Sequence, residues 1–303
     1  MRGETGPEDR REGMKFWQAL SFMELDHMLE VARIAEEVGF HGVFLSDHLF
    51  YPEKIESPYP YTEDGVPPFA PETDWPEPWC AISAMAAVTD RIEFCTMVYI
   101  LPLRDPFEVA KAVATAAILS NERVILGAGV GWMKEEFDQL ARDFHTRGKR
   151  FNEMIEVMRQ LWTGEMVEYH GTYYEHPRLQ MRPAPTRPIP IYMGGQSKPA
   201  LRRAARLGDG WIGSAAYTPE EIPGLIAHLR KLRKEAGRDH LPFDYIAPLA
   251  VPADPDLYRR LEDEGVTAIT SAPFSYELGP GSTLDQKRRV MEQYAENVIL
   301  KMK

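Results

Sequence analysis

Cysteine is nearly missing from this sequence. Cys80 and Cys95 are the only two, both among apolar neighbours, so two buried free thiols in a reducing, cytoplasmic setting are expected rather than a disulfide framework. The eight histidines are scattered without an H-E-x-x-H pattern. With no cysteine cluster beside them, no metal site is expected. No apolar run approaches the roughly 20 residues of a membrane helix, so no membrane partner is expected either. Basic residues are outnumbered, 35 Lys and Arg against 46 Asp and Glu, for a net charge of −11. A phosphate backbone wants a basic face, which argues against nucleic acid as a partner but not against a small anion held by local N–H groups. Neither a G-x-S-x-G elbow nor a P-loop is found. The opening MRGETGPEDRREG has no apolar signal-peptide core and reads as a disordered tail over residues 1–13.

An apolar content of 44% with 27% charge describes a globular chain. Its most regular stretch runs from Arg91 to Trp132. Ile92–Val98 is short, β-branched and apolar, as a strand buried on both faces should be. Asp105, Pro106 and Glu108 then read as N-cap, first helical residue and capping box. Apolar residues from Phe107 onward recur at helical spacing, and Arg123–Leu126 is a second strand followed by Gly127, Gly129 and Gly131. This is one βαβ unit, and the same alternation recurs along the chain. Further strands are expected at Lys15–Leu20, Gly42–Ser46, Ile189–Met193, Asp209–Gly213, Tyr245–Val251 and Val266–Ser271. Ser21 with Glu24 predicts a capping box before a stripe from Leu25 to Val38, Thr218 with Glu221 predicts another helix start, and Leu284–Met302 closes the chain as a helix. Eight strands alternating with helices, without a composition break, predict a single α/β domain over 14–303, a (β/α)8 TIM barrel. Two insertions interrupt it at the C-terminal face, at about 50–78 and 164–188, the second with hairpin character.

In such a barrel the site lies at the C-terminal ends of the strands, and the unusual residues fall there. They are Asp47 and His48, Met97 and Val98, the run Gly127–Trp132, and Gly194, Gly195, Gln196 and Ser197. The last four precede a helix, so they are either an anion seat of backbone N–H groups or a tight turn with Ser197 as N-cap. The spacing G-x-G-x-G-W fails the dinucleotide fingerprint. Those glycines mean close approach to a flat ring system or close packing at the barrel mouth. His48 is placed for acid–base work, with Asp47 orienting a ring or capping a turn. Aromatics of the first insertion (Phe50, Tyr51, Tyr59, Tyr61, Phe69, Trp75, Trp79) wall an apolar pocket or pack on one another.

The runs TMVYILPLRDP, RVILGAGVGW, AEEVGFHGVFLSDHL, PIPIYMGGQSKPALRRAARLGDGWIG and RGKRFNEMIEVMRQLW together resemble the luciferase-like monooxygenase superfamily over about residues 14–300. The SDH triplet and PYPYTEDGVPPF are most similar to its coenzyme F420-dependent branch, and the FMN-dependent branch shares much of the rest. The resemblance implies an oxidoreductase that passes a hydride between F420 (or, as the alternative, FMN with a partner flavin reductase) and a small organic substrate, working as a homodimer. A non-catalytic flavin-binding barrel is the remaining alternative. The resemblance also implies a non-prolyl cis peptide at Met97–Val98 against the central ring and His48 as the proton donor or acceptor. Cofactor contacts are implied for Asp47, Thr96, Met97, Val98, Gly129, Gly131, Trp132 and Gly194–Ser197, with the ribityl phosphate on the last group. Sugar-phosphate dehydrogenases of this group carry an acidic residue where Trp132 stands, so an apolar substrate fits better. Arg147, Lys149, Arg150, Arg202, Arg203 and Arg206 are expected to form a basic rim for an anionic tail.

Overall fold

The short β-branched runs become the staves of a closed barrel. The computed structural model describes residues 13–214, 216–279 and 281–303, so the tail read over 1–13 lies outside them but for Gly13. The strands are β1 (Lys15–Ala19), β2 (Gly42–Leu45), β3 (Glu93–Thr96), β4 (Tyr99–Ile100), β5 (Val124–Gly129), β6 (Val167–His170), β7 (Glu175–Leu179), β8 (Ile191–Gly194), β9 (Gly210–Ile212), β10 (Asp244–Ala247) and β11 (Ala268–Ser271). Neighbours pair in parallel in the order β3–β2–β1–β11–β10–β9–β8–β5, and β5 pairs back onto β3, closing eight staves. The two-residue β4 extends the β5 edge past the end of β3, while β6 and β7 form an antiparallel hairpin outside the barrel.

Parallel neighbours need a crossover between them. It is supplied by α1 (Met28–Val38), α2 (Pro78–Ala86), α3 (Pro106–Leu119), α4 (Lys134–Gln139), α5 (Arg147–Leu161), α6 (Lys198–Leu207), α7 (Ile222–Glu235) and α8 (Pro255–Glu264), while α9 (Leu284–Tyr294) follows the last stave. Alternate stave residues face opposite ways and both sets are buried, which is why these strands read as continuous apolar runs. Trp17, Phe44, Cys95, Ile125, Tyr192, Ile212 and Ile246 fill the barrel interior, and Val43, Phe94, Val124 and Ile191 face the helices. Polar pairs close the N-terminal end, where Asp244 meets Lys15 and the Tyr192 hydroxyl, and His41 meets Glu93 at 3.0 Å.

Several boundaries moved, each for a local reason. Ser21 does not cap a helix; its hydroxyl pairs with that of Ser46 at 2.7 Å, Glu24 turns to Lys287, and a 3-10 turn at Leu25–His27 precedes α1. Leu25 and Leu29, counted in the apolar stripe, are exposed as a result. Asp105 caps α3 through the Phe107 N–H as expected, but with no reciprocal bond from Glu108. The Thr218 and Glu221 pair forms a turn ahead of α7. β10 stops at Ala247, before Pro248, which has no N–H to continue the ladder. The closing helix passes through a wider π turn at Ala295–Ile299. Both cysteines are free, but Cys80 is exposed on α2 and only Cys95 is buried. No helix among the described residues is long and apolar enough to cross a membrane.

Candidate active site

The staves' C-terminal ends surround a cavity of about 1010 Å³. Its floor is the end of β3, where the Met97–Val98 peptide is cis, as the resemblance implied. The Val98 side chain is wedged between two other staves. A Cβ at Gly129 would stand 2.5 Å from Val98 Cγ2, and one at Gly194 2.6 Å from Cγ1. At Gly127 it would collide with the Thr96 carbonyl oxygen. Both are far inside the contact distance of carbon atoms, so these glycines are required by the protein's own packing. Close packing at the barrel mouth is thus present at Gly127 and Gly129, where β5 runs three residues beyond Leu126. Gly131 is the separate case of a backbone at φ +81°, which favours glycine by itself. Met97, Val98, Gly129 and Gly131 line the cavity. Thr96 does not: it is fully buried, and its hydroxyl donates to the Gly127 carbonyl at 2.8 Å beneath the floor.

Asp47 and His48, adjacent after β2, have separate partners. The Asp47 carboxylate takes both arms of the Arg104 guanidinium and the Ile100 N–H at 2.8 Å, with the Asp47 side chain 1% exposed. It therefore ties β2 to the segment after β4 and is neither a turn cap nor a free acid. His48 turns the other way. Its Nδ1 lies 3.2 Å from Glu136 Oε2, and Glu136 Oε1 accepts the Leu49 N–H at 2.7 Å. Glu136 is wholly buried on α4. A carboxylate on Nδ1 fixes the imidazole's orientation and favours the Nδ1–H tautomer. Nε2, with no partner among the described residues, is left as the nitrogen toward the cavity that His48 lines.

The insertion residues 50–77 roof this corner. Phe69 and Trp75 stand 5.0 Å from the His48 ring and Trp132 stands 5.8 Å away, the two tryptophans edge-on. Phe22, Tyr59 and Tyr61 complete an apolar wall; burial raises the Tyr61 pKa despite a bond from Ser214, so the phenol stays protonated. Phe50, Tyr51 and Trp79 are not part of it; Tyr51 packs behind Phe69 and Trp79 on Tyr99.

The far end is polar. Gly194–Ser197 lines the cavity just before α6, and Ser197 is the N-cap, its hydroxyl accepting the Ala200 N–H at 3.4 Å. Gly195 sits at φ +116°, and the Tyr217 hydroxyl holds Gln196 Oε1 at 3.1 Å. Among the described residues no acceptor meets the Gln196 or Ser197 N–H, and the Ser214 hydroxyl, also in the lining, stands beside the Tyr61 and Tyr217 phenols. Arg147 lines this end too. Its guanidinium donates to the Gly131 and Phe144 carbonyls and meets no carboxylate among the described residues. Arg203 nearby has its pKa lowered to about 10, by burial first and then by the charges of Arg206 and Arg147. Both features of the Gly-Gly-Gln-Ser motif coexist: a capped turn and outward N–H groups beside unneutralised cations. Lys149, Arg202 and Arg206 are exposed, but Arg150 leaves the expected rim, buried with its guanidinium on the Pro102 and Asp143 carbonyls. The described residues contain no grouping of His, Cys, Asp and Glu that could hold a metal.

The sequence model of the luciferase-like monooxygenase family matches residues 4–295. The chain belongs to that family.

An uncharacterized protein of Mycobacterium tuberculosis is 39% identical to this luciferase-like chain over 291 residues, 95% of this chain and 100% of that one. An F420-dependent glucose-6-phosphate dehydrogenase of Nakamurella multipartita is 30% identical over 266 residues, covering 86% and 74%. Among solved structures, the coenzyme F420 dependent tetrahydromethanopterin reductase from Methanopyrus kandleri superposes with a TM-score of 0.73 at 18% identity, covering 96% of this chain and 100% of that one, and shares the fold. Within this luciferase-like barrel, Glu136, Glu135 and Arg104 were missed from sequence. Glu135 and Glu136 lie in a charged stretch that reads as solvated surface, Arg104 follows an apolar run with its partner, Asp47, 57 positions away, and the partners of Glu136 are 87 and 88 positions away.

Proposed function

We propose that this luciferase-like protein is a coenzyme F420-dependent oxidoreductase acting on a small apolar organic substrate. The observation that carries this is His48, held by a buried carboxylate at Nδ1 and facing, through Nε2, a cavity walled by aromatic rings at one end and lined with free N–H groups and a cation at the other. The residues fit a flat, anionic cofactor. The N–H groups at the start of α6 with Arg147 would hold its phosphate, and Val98 would back its ring system. When bound, the deazaflavin supplies hydride transfer, two electrons at a time.

The chain's own residues do the rest. Glu136 orients His48, and Nε2 gives or takes the proton at the substrate oxygen or nitrogen that balances hydride arrival or departure. Phe69, Trp75 and Trp132 exclude water from that corner, and position 132 carries no acidic side chain to act as the catalytic group of a sugar-phosphate dehydrogenase. The identity with an F420-dependent dehydrogenase favours F420 over FMN.

The test is side-by-side titration of the purified chain with F420 and with FMN, oxidised and reduced, by fluorescence and absorbance. Selective F420 binding is expected. Selective FMN binding would replace this with a two-component monooxygenase served by a flavin reductase, and binding of neither would remove the oxidoreductase assignment.

A further inference from the structure

The first turn of α4 places two consecutive carboxylates with different tasks. Glu136 holds His48 and the Leu49 N–H, as described. Glu135 points to the roof: its Oε1 accepts the N–H groups of Glu56 at 2.6 Å and Ser57 at 2.9 Å, while Ser57 Oγ accepts the Lys134 N–H at 3.0 Å. The second oxygen of Glu135 is buried without a partner, so this carboxylate is committed to the roof segment alone. The roof also reaches His48 directly, through Phe69 and Trp75, and reaches Trp132 through Tyr59 at 5.1 Å. Three side chains of one loop–helix junction, Trp132, Glu135 and Glu136, and the Lys134 backbone N–H therefore belong either to the roof's anchorage or to the imidazole's.

We infer that Glu135 is a positioning residue for His48: by clamping Glu56 and Ser57 to α4 it couples the seating of the 50–77 segment to the orientation and solvent exclusion of the imidazole. Residues i and i+1 of a helix point about 100° apart, so a single turn serves both contacts without either side chain crossing the other. Loss of the roof anchor removes Phe69 and Trp75 from the imidazole face and admits water to the His48–Glu136 pair, where screening weakens it. The effect passes through the roof and not through the charge of Glu135. A glutamine keeps the acceptor oxygen and loses the charge; an alanine loses both.

The inference rests on the proposed function only for what His48 does in turnover, and its test needs no cofactor. Glu135→Ala, Glu135→Gln and Ser57→Ala are compared with the parent chain by limited proteolysis within 50–77 and by NMR titration of the His48 imidazole, assigned through His48→Gln. The titratable groups facing His48 are Glu136 and, one residue back, Asp47 in its pair with Arg104; all stay in place in these variants.

Glu135→Ala should raise the cleavage rate about tenfold or more, since two bonds to a carboxylate are lost, and should shift the His48 titration midpoint. Ser57→Ala, the milder change, should move both in the same direction, and Glu135→Gln should move neither. An open roof with an unchanged His48 titration overturns the coupling, and so does an unchanged cleavage rate in Glu135→Ala. A glutamine variant that behaves like alanine overturns the role of the acceptor. Failure of F420 and FMN to bind would sink the oxidoreductase proposal and leave these measurements standing.

Discussion

The residue that defines the site, His48, is specified by a partner 88 positions away, and its chemistry follows from that pair. His48→Ala should lower turnover by about 10²–10⁴, the usual worth of a positioned acid–base group, while the F420 dissociation constant changes little. Joint loss of both would assign His48 to structure. Glu136→Gln keeps the acceptor for the Leu49 N–H but replaces the carboxylate that meets Nδ1 by an amide that can turn its NH2 to the ring. Turnover should therefore fall with F420 binding intact, as read from steady-state kinetics beside a binding titration. Asp47→Asn tests a different role. It leaves the Arg104 guanidinium, 13% exposed, without its counter-charge, and should cost about 3–5 kcal/mol in urea unfolding. At this scale the sequence showed position but not partnership. Strand ends could be located from apolar runs, so Asp47, His48 and the cavity-lining glycines were found. Glu136 was not, because a buried carboxylate on a charged helix has the same local pattern as an exposed one, and Arg104 was not, because its partner Asp47 lies 57 positions away.

Between elements, the tightest constraint is Val98 locked between β5 and β8. Gly129→Ala and Gly194→Ala should each destabilise by about 1–3 kcal/mol through overpacking. Val98→Ala should recover much of either loss, so a double-mutant cycle should give a coupling energy well away from zero. The junction of α1 with β3 is held otherwise, by the Glu36 carboxylate accepting the N–H groups of Asp90, Arg91 and Ile92. Burial pushes the Glu36 pKa up, but the Arg91, Ile92 and Asp90 bonds outweigh it and the net shift is downward. A depressed folded-state pKa gives stability that is full above the ordinary value of 4.5 and lost as pH falls through the lowered one. Glu36→Gln should therefore be less stable than the parent at neutral pH, with the gap narrowing in acid, as read from urea midpoints. Helix starts with a local signal, Asp105 and Asp254 ahead of prolines, were legible. Ser21 and Glu24 carry the same letters, but Ser46 and Lys287, distant in sequence, claimed their side chains, and no local pattern records that competition.

For the whole molecule, the eight-stave circuit was readable because burial on both faces writes an uninterrupted apolar run for every stave. The roof over the site was visible only as a long stretch without periodicity; its attachment to α4 had no local trace. Since the cavity is bounded by residues from β2, β3, β5, β8 and β9 together, a ligand there bridges most of the circuit. F420 at a hundredfold excess over its dissociation constant should add about 2.7 kcal/mol and raise the thermal midpoint, measurable by differential scanning fluorimetry. The same placement has an optical side. Two of the six tryptophans, Trp75 and Trp132, stand edge-on to His48 at 5.0 and 5.8 Å, whereas Trp17 lies buried inside the barrel against His41. A charged imidazole quenches a neighbouring indole's emission by accepting its excited electron, so the protein carries unlabelled lamps, Trp75 and Trp132 answering to His48 and Trp17 to His41 at 5.5 Å.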